Sequence, residues 1–342
     1  MTKIFLTGAS GYIGGDVLHL LYQTHPEYIY KVLCRDAAKA SQISSAYSNV
    51  HVVQGSLDDT DIIRRESSDA DVVLNLAATS HMKSVETIHK ALADSKRQTP
   101  SFWVQVSGAT AIAAAELADR QRTPGSGSSV IFDDLNGIED IRSMIQEHPS
   151  RAVDNYVLKV AAGAANIKTA LVFPPIIYGV GRGPINQRSI QIPFLVKATI
   201  ERKRGLQVGK GLSRWGNVHI RDLSELFLKL VERAAGGKAE GQIWGTNGLY
   251  LTGIGEMSFA EISKETAAAA VKQGLIPNDD VEELNGAEAD SSLPHGNVLY
   301  GTNARSKALR GKELLGWAPH HESLSEAIPD AVKTEAQRLS SQ

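Results

Sequence analysis

The stretch "FLTGASGYIGG", Phe5–Gly15, sets Gly8, Gly11 and Gly14 at three-residue intervals. An apolar run, Lys3–Leu6, leads into it, and Ile13, Val17, Leu20 and Leu21 follow at helical spacing. Strand, glycine turn and helix in that order have a physical reading. The first glycine permits the tight turn. The second lets a diphosphate approach the backbone, and the third lets the helix pack closely on the sheet. The helix start then offers free amide N–H groups and a positive dipole end to phosphate. Gly8, Ser10, Gly11, Tyr12, Ile13 and Gly14 are therefore candidate dinucleotide contacts. The alternative is a bare structural turn.

Working outward, short apolar runs recur at Ile29–Leu33, Val50–Val53, Val72–Asn75, Phe102–Val106 and Thr169–Val172. They are rich in Val, Ile and Leu and do not strictly alternate, as expected for parallel strands covered on both faces. Helical stretches separate them. The fold class expected is α/β, a Rossmann-type doubly wound parallel sheet with a smaller irregular C-terminal lobe. The sheet domain is expected over 1–179 plus 216–248, and the substrate lobe over 180–215 plus 249–325. "RQRTPGSGSS", Arg120–Ser129, reads as a mobile surface loop. A short helix is expected over Ile138–Glu147, and a second opened by Pro149 and running to about Ala165. Further helices are expected over Leu223–Arg233 and Ala260–Gly274, with a strand at Gln242–Thr246.

Bulk properties narrow the classes. The chain has 342 residues, 42% hydrophobic and 22% charged, with a net charge of −2. Such a chain can bury a full core. Its mixed charge gives no electrostatic case for nucleic acid or an anionic membrane. No apolar run is long enough to span a bilayer. The single cysteine, Cys34, excludes an intrachain disulfide. A cytoplasmic protein, monomer or homodimer, acting on a small-molecule substrate is the expectation. The ten histidines show no metal-ligand spacing, and the adjacent His320 and His321 have no Cys or carboxylate cluster near them in sequence, so no metal is expected.

The end of the second strand reads "VLCRDAAKA". An acidic residue there favours NAD and a basic one accommodates a 2′-phosphate. Arg35 comes first and can offer a bidentate fork, so NADP is preferred. NAD stays open, with Asp36 on the ribose.

Further motifs are "GSLDD" (Gly55–Asp59), "NLAATSH" (Asn75–His81), "FPPIIYG" (Phe173–Gly179), "GKGLSRWGNVHIRDL" (Gly209–Leu223) and "LGWAP" (Leu315–Pro319). With the glycine turn they resemble the extended short-chain dehydrogenase/reductase family, its nucleotide-sugar epimerase and dihydroflavonol-reductase-like group. The likeness spans nearly the whole chain, most strongly 1–110 and 168–225. It implies a nicotinamide dinucleotide. Ser56 then stands where the family has an aspartate for the adenine amino group, with Leu57 against the ring. Ala77, Ala78 and Thr79 line the cofactor, and Pro174, Ile176 and Ile177 lie beside the nicotinamide. His81 and Met82 wall the substrate pocket.

The family's catalytic motif is Tyr-x-x-x-Lys, and none occurs between Thr110 and Lys168. Tyr156 and Lys159, in "DNYVLKVAAGAANIK", are three apart. Taking Asp154 as the acid that follows the family's lysine puts the pair at Gln146 and Ser150. Tyr156 then lies about 15 Å along a helix from the tyrosine position and reads as a core or interface residue. Replacements are sought nearby. "VQVSGAT" supplies Ser107 and Thr110, with Gly108 the other match for a substrate-polarising position. His148 can pass a proton at neutral pH. Arg151 can hold an oxyanion without titrating. Tyr178 can reach the nicotinamide side. Three functions remain: an NADP-linked oxidoreductase or epimerase on a small carbonyl or alcohol, a dinucleotide-binding sensor without turnover, and a non-redox isomerase or cyclase.

Overall fold

The structure is a computed structural model that describes residues 1–95 and 97–341. The first half alternates strand and helix: β1 (Lys3–Thr7), α1 (Tyr12–Thr24), β2 (Ile29–Cys34), α2 (Ala37–Ala46), β3 (Val50–Gln54), α3 (Thr60–Asp69), β4 (Val72–Asn75), α4 (Met82–Ala93) and β5 (Ser101–Val106). Next come α5 (Ile138–Gln146), α6 (Ala152–Gly163), β6 (Ile167–Phe173), β7 (Ile176–Tyr178), α7 (Gln191–Arg202), β8 (Arg214–His219) and α8 (Ile220–Ala235). The chain continues through β9 (Leu249–Leu251), β10 (Gly255–Ser258), α9 (Phe259–Lys272) and α10 (Leu324–Ser340).

Seven parallel strands form the main sheet in the order β9-β6-β5-β4-β1-β2-β3. The reversal of winding between β1 and β4 opens a crevice at their carboxyl ends, where open α/β sheets hold ligands. Helix α1 packs on α8, and α4 packs on both α3 and α6, the two-faced arrangement that the right-handed crossover rule requires of this strand order. The middle strands are apolar because both faces are covered: every residue of β4 and β5 is buried. A second sheet, β10-β8-β7, joins the C-terminal lobe to the end of β6. No helix among the described residues is long and apolar enough to cross a membrane.

Three expectations need correction. The strand placed at Gln242–Thr246 forms instead at Leu249–Leu251, paired to β6. Ile243 and Trp244 are buried in a turn, so their apolarity imitates a strand. Pro149 does not open a helix. It lies in the turn between α5 and α6, which begins at Ala152 with Arg151 at its N-cap. The 120–129 segment is not a free loop. Gly125 N–H donates to Gly301 O (2.9 Å), and Leu212 N–H donates to Gly125 O (2.8 Å). A Cβ on Gly125 would stand 1.8 Å from Val208 O, and its φ is +81°. The glycine is required by that backbone approach, and the segment is docked on the C-terminal lobe.

A buried polar chain crosses the strand ends. Thr7 Oγ1 donates to Asn75 Oδ1 (2.6 Å), and Asn75 Nδ2 donates to Gln105 Oε1 (2.8 Å). Thr7 Oγ1 also accepts from Ala77 N–H (3.3 Å), which ties the turn after β4 to the glycine turn. Asn75→Leu strands the Thr7 hydroxyl and the Gln105 carbonyl in the core. Each buried unpaired group costs about 1–3 kcal/mol. Urea unfolding is expected to show a loss of about 2–4 kcal/mol.

Candidate functional site

The glycine turn is built as its sequence requires. Gly8 has φ +87°, and a Cβ there would meet Leu76 C at 2.7 Å and Ala77 N at 2.8 Å. A Cβ on Gly14 would stand 2.3 Å from Gly8 O. Gly11 caps α1 with no side chain, and its own N–H donates to Gly8 O (2.8 Å). The first-turn amides of Tyr12, Ile13 and Gly14 therefore have no intrahelical acceptor and remain donors at the start of α1. A cleft of about 330 Å³ adjoins the turn. Gly8, Ser10, Arg35, Ser56, Leu57 and Ala77 line it, as does His81. The glycine cradle and this cleft fit a dinucleotide.

Two side chains at the cleft are already committed. Asp36 caps α2 by accepting from Lys39 N–H (2.9 Å), which with burial opposing it holds its carboxyl below the ordinary range. Asp59 accepts from the Ser56 amide (2.6 Å) and hydroxyl (2.9 Å), so Ser56 is held by its own loop. Arg35 is exposed at the cleft wall.

Tyr12 has turned from the cleft. Its hydroxyl donates to Gly179 O (2.6 Å), and burial, then Asp16, push its pKa far up. Behind it, fully buried Asp16 accepts from Arg182 N, Nε and a terminal guanidinium nitrogen at 2.8, 3.1 and 2.6 Å. Ser224 Oγ donates to the same carboxylate at 2.6 Å. Burial raises the Asp16 pKa, but these bonds outweigh it and hold the carboxyl low. The 179–189 loop is thereby pinned to α1. Arg182, Arg188 and Arg214, which in sequence read either as anion ligands or as solvated side chains, are all paired: Arg182 with Asp16, Arg188 with Glu335, Arg214 with Glu256 and Glu261.

At the end of β5 the structure gathers Ser107, Thr110 and Arg151. Arg151 donates to Ser107 Oγ (2.9 Å) and Thr110 Oγ1 (3.2 Å). Its Nε and a terminal nitrogen also donate to Asp154 Oδ2, at 2.8 and 2.5 Å. Asp154 is 1% exposed, and burial raises its pKa against the pull of Arg151 and Ser107. Ala109 N–H donates to Pro174 O (3.0 Å), so this strand end lies beside the Pro174 segment. Gln105 Nε2 donates to Ala78 O (3.3 Å), which brings the residues after β4 alongside. Ile176 and Ile177 lie on β7, paired to Asn217 and Val218, and Thr79 is in the turn before α4.

His148 and Tyr178 are not gathered with this cluster. His148 Nδ1 donates to Met144 O (2.6 Å), closing the end of α5. The Tyr178 hydroxyl donates to Glu322 O (2.7 Å) and its ring packs edge-on to His219. Tyr156 meets His89 across the α4–α6 contact, with its oxygen 2.8 Å from His89 Nδ1, while Lys159 is exposed. Gln146 and Ser150 are exposed on either side of the Pro149 turn. Arg151, one of two cationic candidates in sequence, is the one the fold delivers. The signal was the break at Pro149, which makes Arg151 an N-cap residue free to reach back to β5.

The chain has relatives over nearly its whole length. Oxidase ucsJ of Acremonium sp is 34% identical over 98% of both chains. An uncharacterized protein of Saccharomyces cerevisiae, YLL056C, is 24% identical over 95% of this chain and 97% of its own. Among solved structures, the dTDP-glucose 4,6-dehydratase DesIV of Streptomyces venezuelae, with NAD and TYD bound, superposes with a TM-score of 0.66. It shares 16% identity over 99% of this chain and 98% of its own. The UDP-glucuronic acid 4-epimerase of Bacillus cereus, with UDP-glucuronic acid and NAD, gives 0.65 at 14% identity, over 98% and 100%. Residues 4–244, which carry the glycine turn, the β5 cluster and the β8 segment, match the model of one family, and the chain belongs to it: the NAD dependent epimerase/dehydratase family.

Proposed function

We propose that the chain is an NADP-linked oxidoreductase or epimerase-like enzyme for a small carbonyl or alcohol, with Arg151 in place of the usual tyrosine acid. The observation that carries this reading is the Arg151–Ser107–Thr110 cluster at the strand end beside the dinucleotide cradle. A bound nicotinamide would supply two-electron chemistry by accepting or donating a hydride. The first-turn amides of α1 hold the diphosphate. Arg35 takes the 2′-phosphate, because Asp36 is spent on the α2 cap. Leu57 and Ala77 pack the adenosine side of the cleft. Ser107 and Thr110 each accept from Arg151; the Thr110 O–H is left to donate to a substrate oxygen, and the Ser107 O–H would turn to it from Asp154. The guanidinium does not titrate. It stabilises negative charge developing on that oxygen rather than passing a proton.

Titrating the purified chain with NADPH and with NADH, followed by nucleotide fluorescence, tests the cofactor half. NADPH is expected to bind more tightly. Arg35→Ala is expected to weaken NADPH by about tenfold to a hundredfold, the worth of one charge-assisted contact of about 1.5–3 kcal/mol, and to leave NADH unchanged. Tighter NADH binding in the parent chain would sink the NADP preference. A panel of small carbonyls tests the chemical half by oxidation of bound NADPH. Binding without turnover of any of them overturns the enzyme reading in favour of a dinucleotide sensor.

A further inference from the structure

The tandem histidines His320 and His321 have Glu322 beside them in sequence, and the fold brings two more carboxylates from a distant helix. Asp222 and Glu225 stand one turn apart on α8, and the loop after Trp317 lays both histidines over that face. Asp222, Glu225, His320 and His321 each offer a ligand atom, all within 4.8 Å of one another. We infer that these four residues form a site for one divalent transition-metal ion of the zinc class, separate from the dinucleotide cradle.

Distance is the first support. His320 Nδ1 lies 3.9 Å from both Asp222 Oδ1 and Glu225 Oε2. Two atoms each about 2.0–2.2 Å from a shared ion are at most about 4.4 Å apart. Both separations are too long for hydrogen bonds and suit an ion between them, once His320 Nδ1 gives up its contact with Ala318 O (3.1 Å). His321 Nδ1 is 2.7 Å from Asp222 Oδ1, and a bound ion would displace the proton between them.

The site is also held in shape without the ion. Asp222 is fully buried and accepts from His320 N–H (3.0 Å) and His321 N–H (3.3 Å). The Trp317 indole donates to Asp222 O (2.7 Å). His219 stacks on His321 with centroids 4.6 Å apart and planes at 10°, fixing that ring. Glu225 and His320 are open to solvent, at 28% and 65% side-chain exposure, which gives an ion its way in.

Two imidazoles and two carboxylates set the metal class. Imidazole suits zinc, copper, nickel and iron, whereas magnesium and calcium sites use oxygen alone. The site lies on the α1–α8 side of the sheet, the face opposite α6 and Arg151. His320 and His321 also line a cavity of about 850 Å³ that shares no lining residue with the dinucleotide cleft.

The test uses the full chain without a polyhistidine tag, stripped with EDTA. Cobalt(II) is titrated by visible absorption and zinc by calorimetry. One ion per chain is expected, with the intense visible band of four-coordinate cobalt, bleached by zinc. Glu225→Gln and His320→Gln should each weaken zinc by at least about tenfold, with unchanged circular dichroism and unchanged melting of the metal-free protein. Zinc should raise the melting temperature of the parent and not of the double variant. No saturable binding of one equivalent, or equal affinity in both variants, overturns the assignment. NADPH binding is unaffected in either outcome, so this site stands or falls apart from the cradle.

Discussion

Gly11→Leu is expected to abolish dinucleotide binding while leaving the fold in place. A Cβ on Gly11 meets a single atom, Gly8 O at 3.2 Å, and no φ there is left-handed. The rest of the added side chain enters the space where a diphosphate would reach the first-turn amides. Two or three charge-assisted bonds of about 1.5–3 kcal/mol each are then lost, a weakening of about 100-fold or more. Glycine is an acceptable N-cap and leucine a poor one, which costs about 1 kcal/mol of stability. Gly14→Ala is the contrast. Its methyl would sit 2.3 Å from Gly8 O and 2.6 Å from Gly8 C, backbone atoms that no rotamer change can move. That variant is expected to lose about 3 kcal/mol of stability. Nucleotide fluorescence and urea melts of both variants separate the roles. Undiminished NADPH affinity in Gly11→Leu would remove the diphosphate from this turn.

The sheet was legible because its strands are covered on both faces. Val72–Asn75 and Phe102–Val106 are apolar runs for the same reason that they are fully buried. The glycine turn was legible because its spacing is forced by backbone contacts at Gly8 and Gly14. What sequence could not give are pairings between distant segments. Trp244 looked like strand because it is buried, but it packs edge-on to Phe102 from a turn, with its indole donating to Lys238 O at 2.9 Å. The 120–129 segment looked mobile because glycine and serine dominate it. Its glycine is there for close docking on Val208. His320 and His321 looked isolated because Asp222 is 98 residues away from the first of them. Arg182 pairs with Asp16, which lies 166 residues earlier.

The candidate site shows the same divide. Ser107 and Thr110 follow directly from the end of β5, a position fixed by the strand. His148 and Arg151 differ only by which side of a turn they fall on, and hydrogen bonds of the folded chain decide between them. The carbonyl of Met144 takes His148, and the strand end takes Arg151.

Arg151→Gln is expected to lower turnover by about 10²–10³-fold with NADPH affinity unchanged, the usual worth of one group that stabilises an oxyanion. Arg151→Lys keeps the charge but loses the planar fork, so it should recover only part of the rate. Stability complicates a single substitution. Asp154 is 1% exposed and loses its cation, and breaking a buried pair costs about 3–5 kcal/mol. Arg151 itself is 17% exposed, which favours the lower end. The double variant Arg151→Met with Asp154→Leu resolves this. Replacing both members of a buried pair by apolar side chains is often neutral or stabilising, so its urea midpoint should return to near the parent value. Its rate should not return, because no cation then faces Ser107 and Thr110. A double variant that regains turnover together with stability would make Arg151 a structural clamp, and the oxyanion would have to be held by the Ser107 and Thr110 hydroxyls alone.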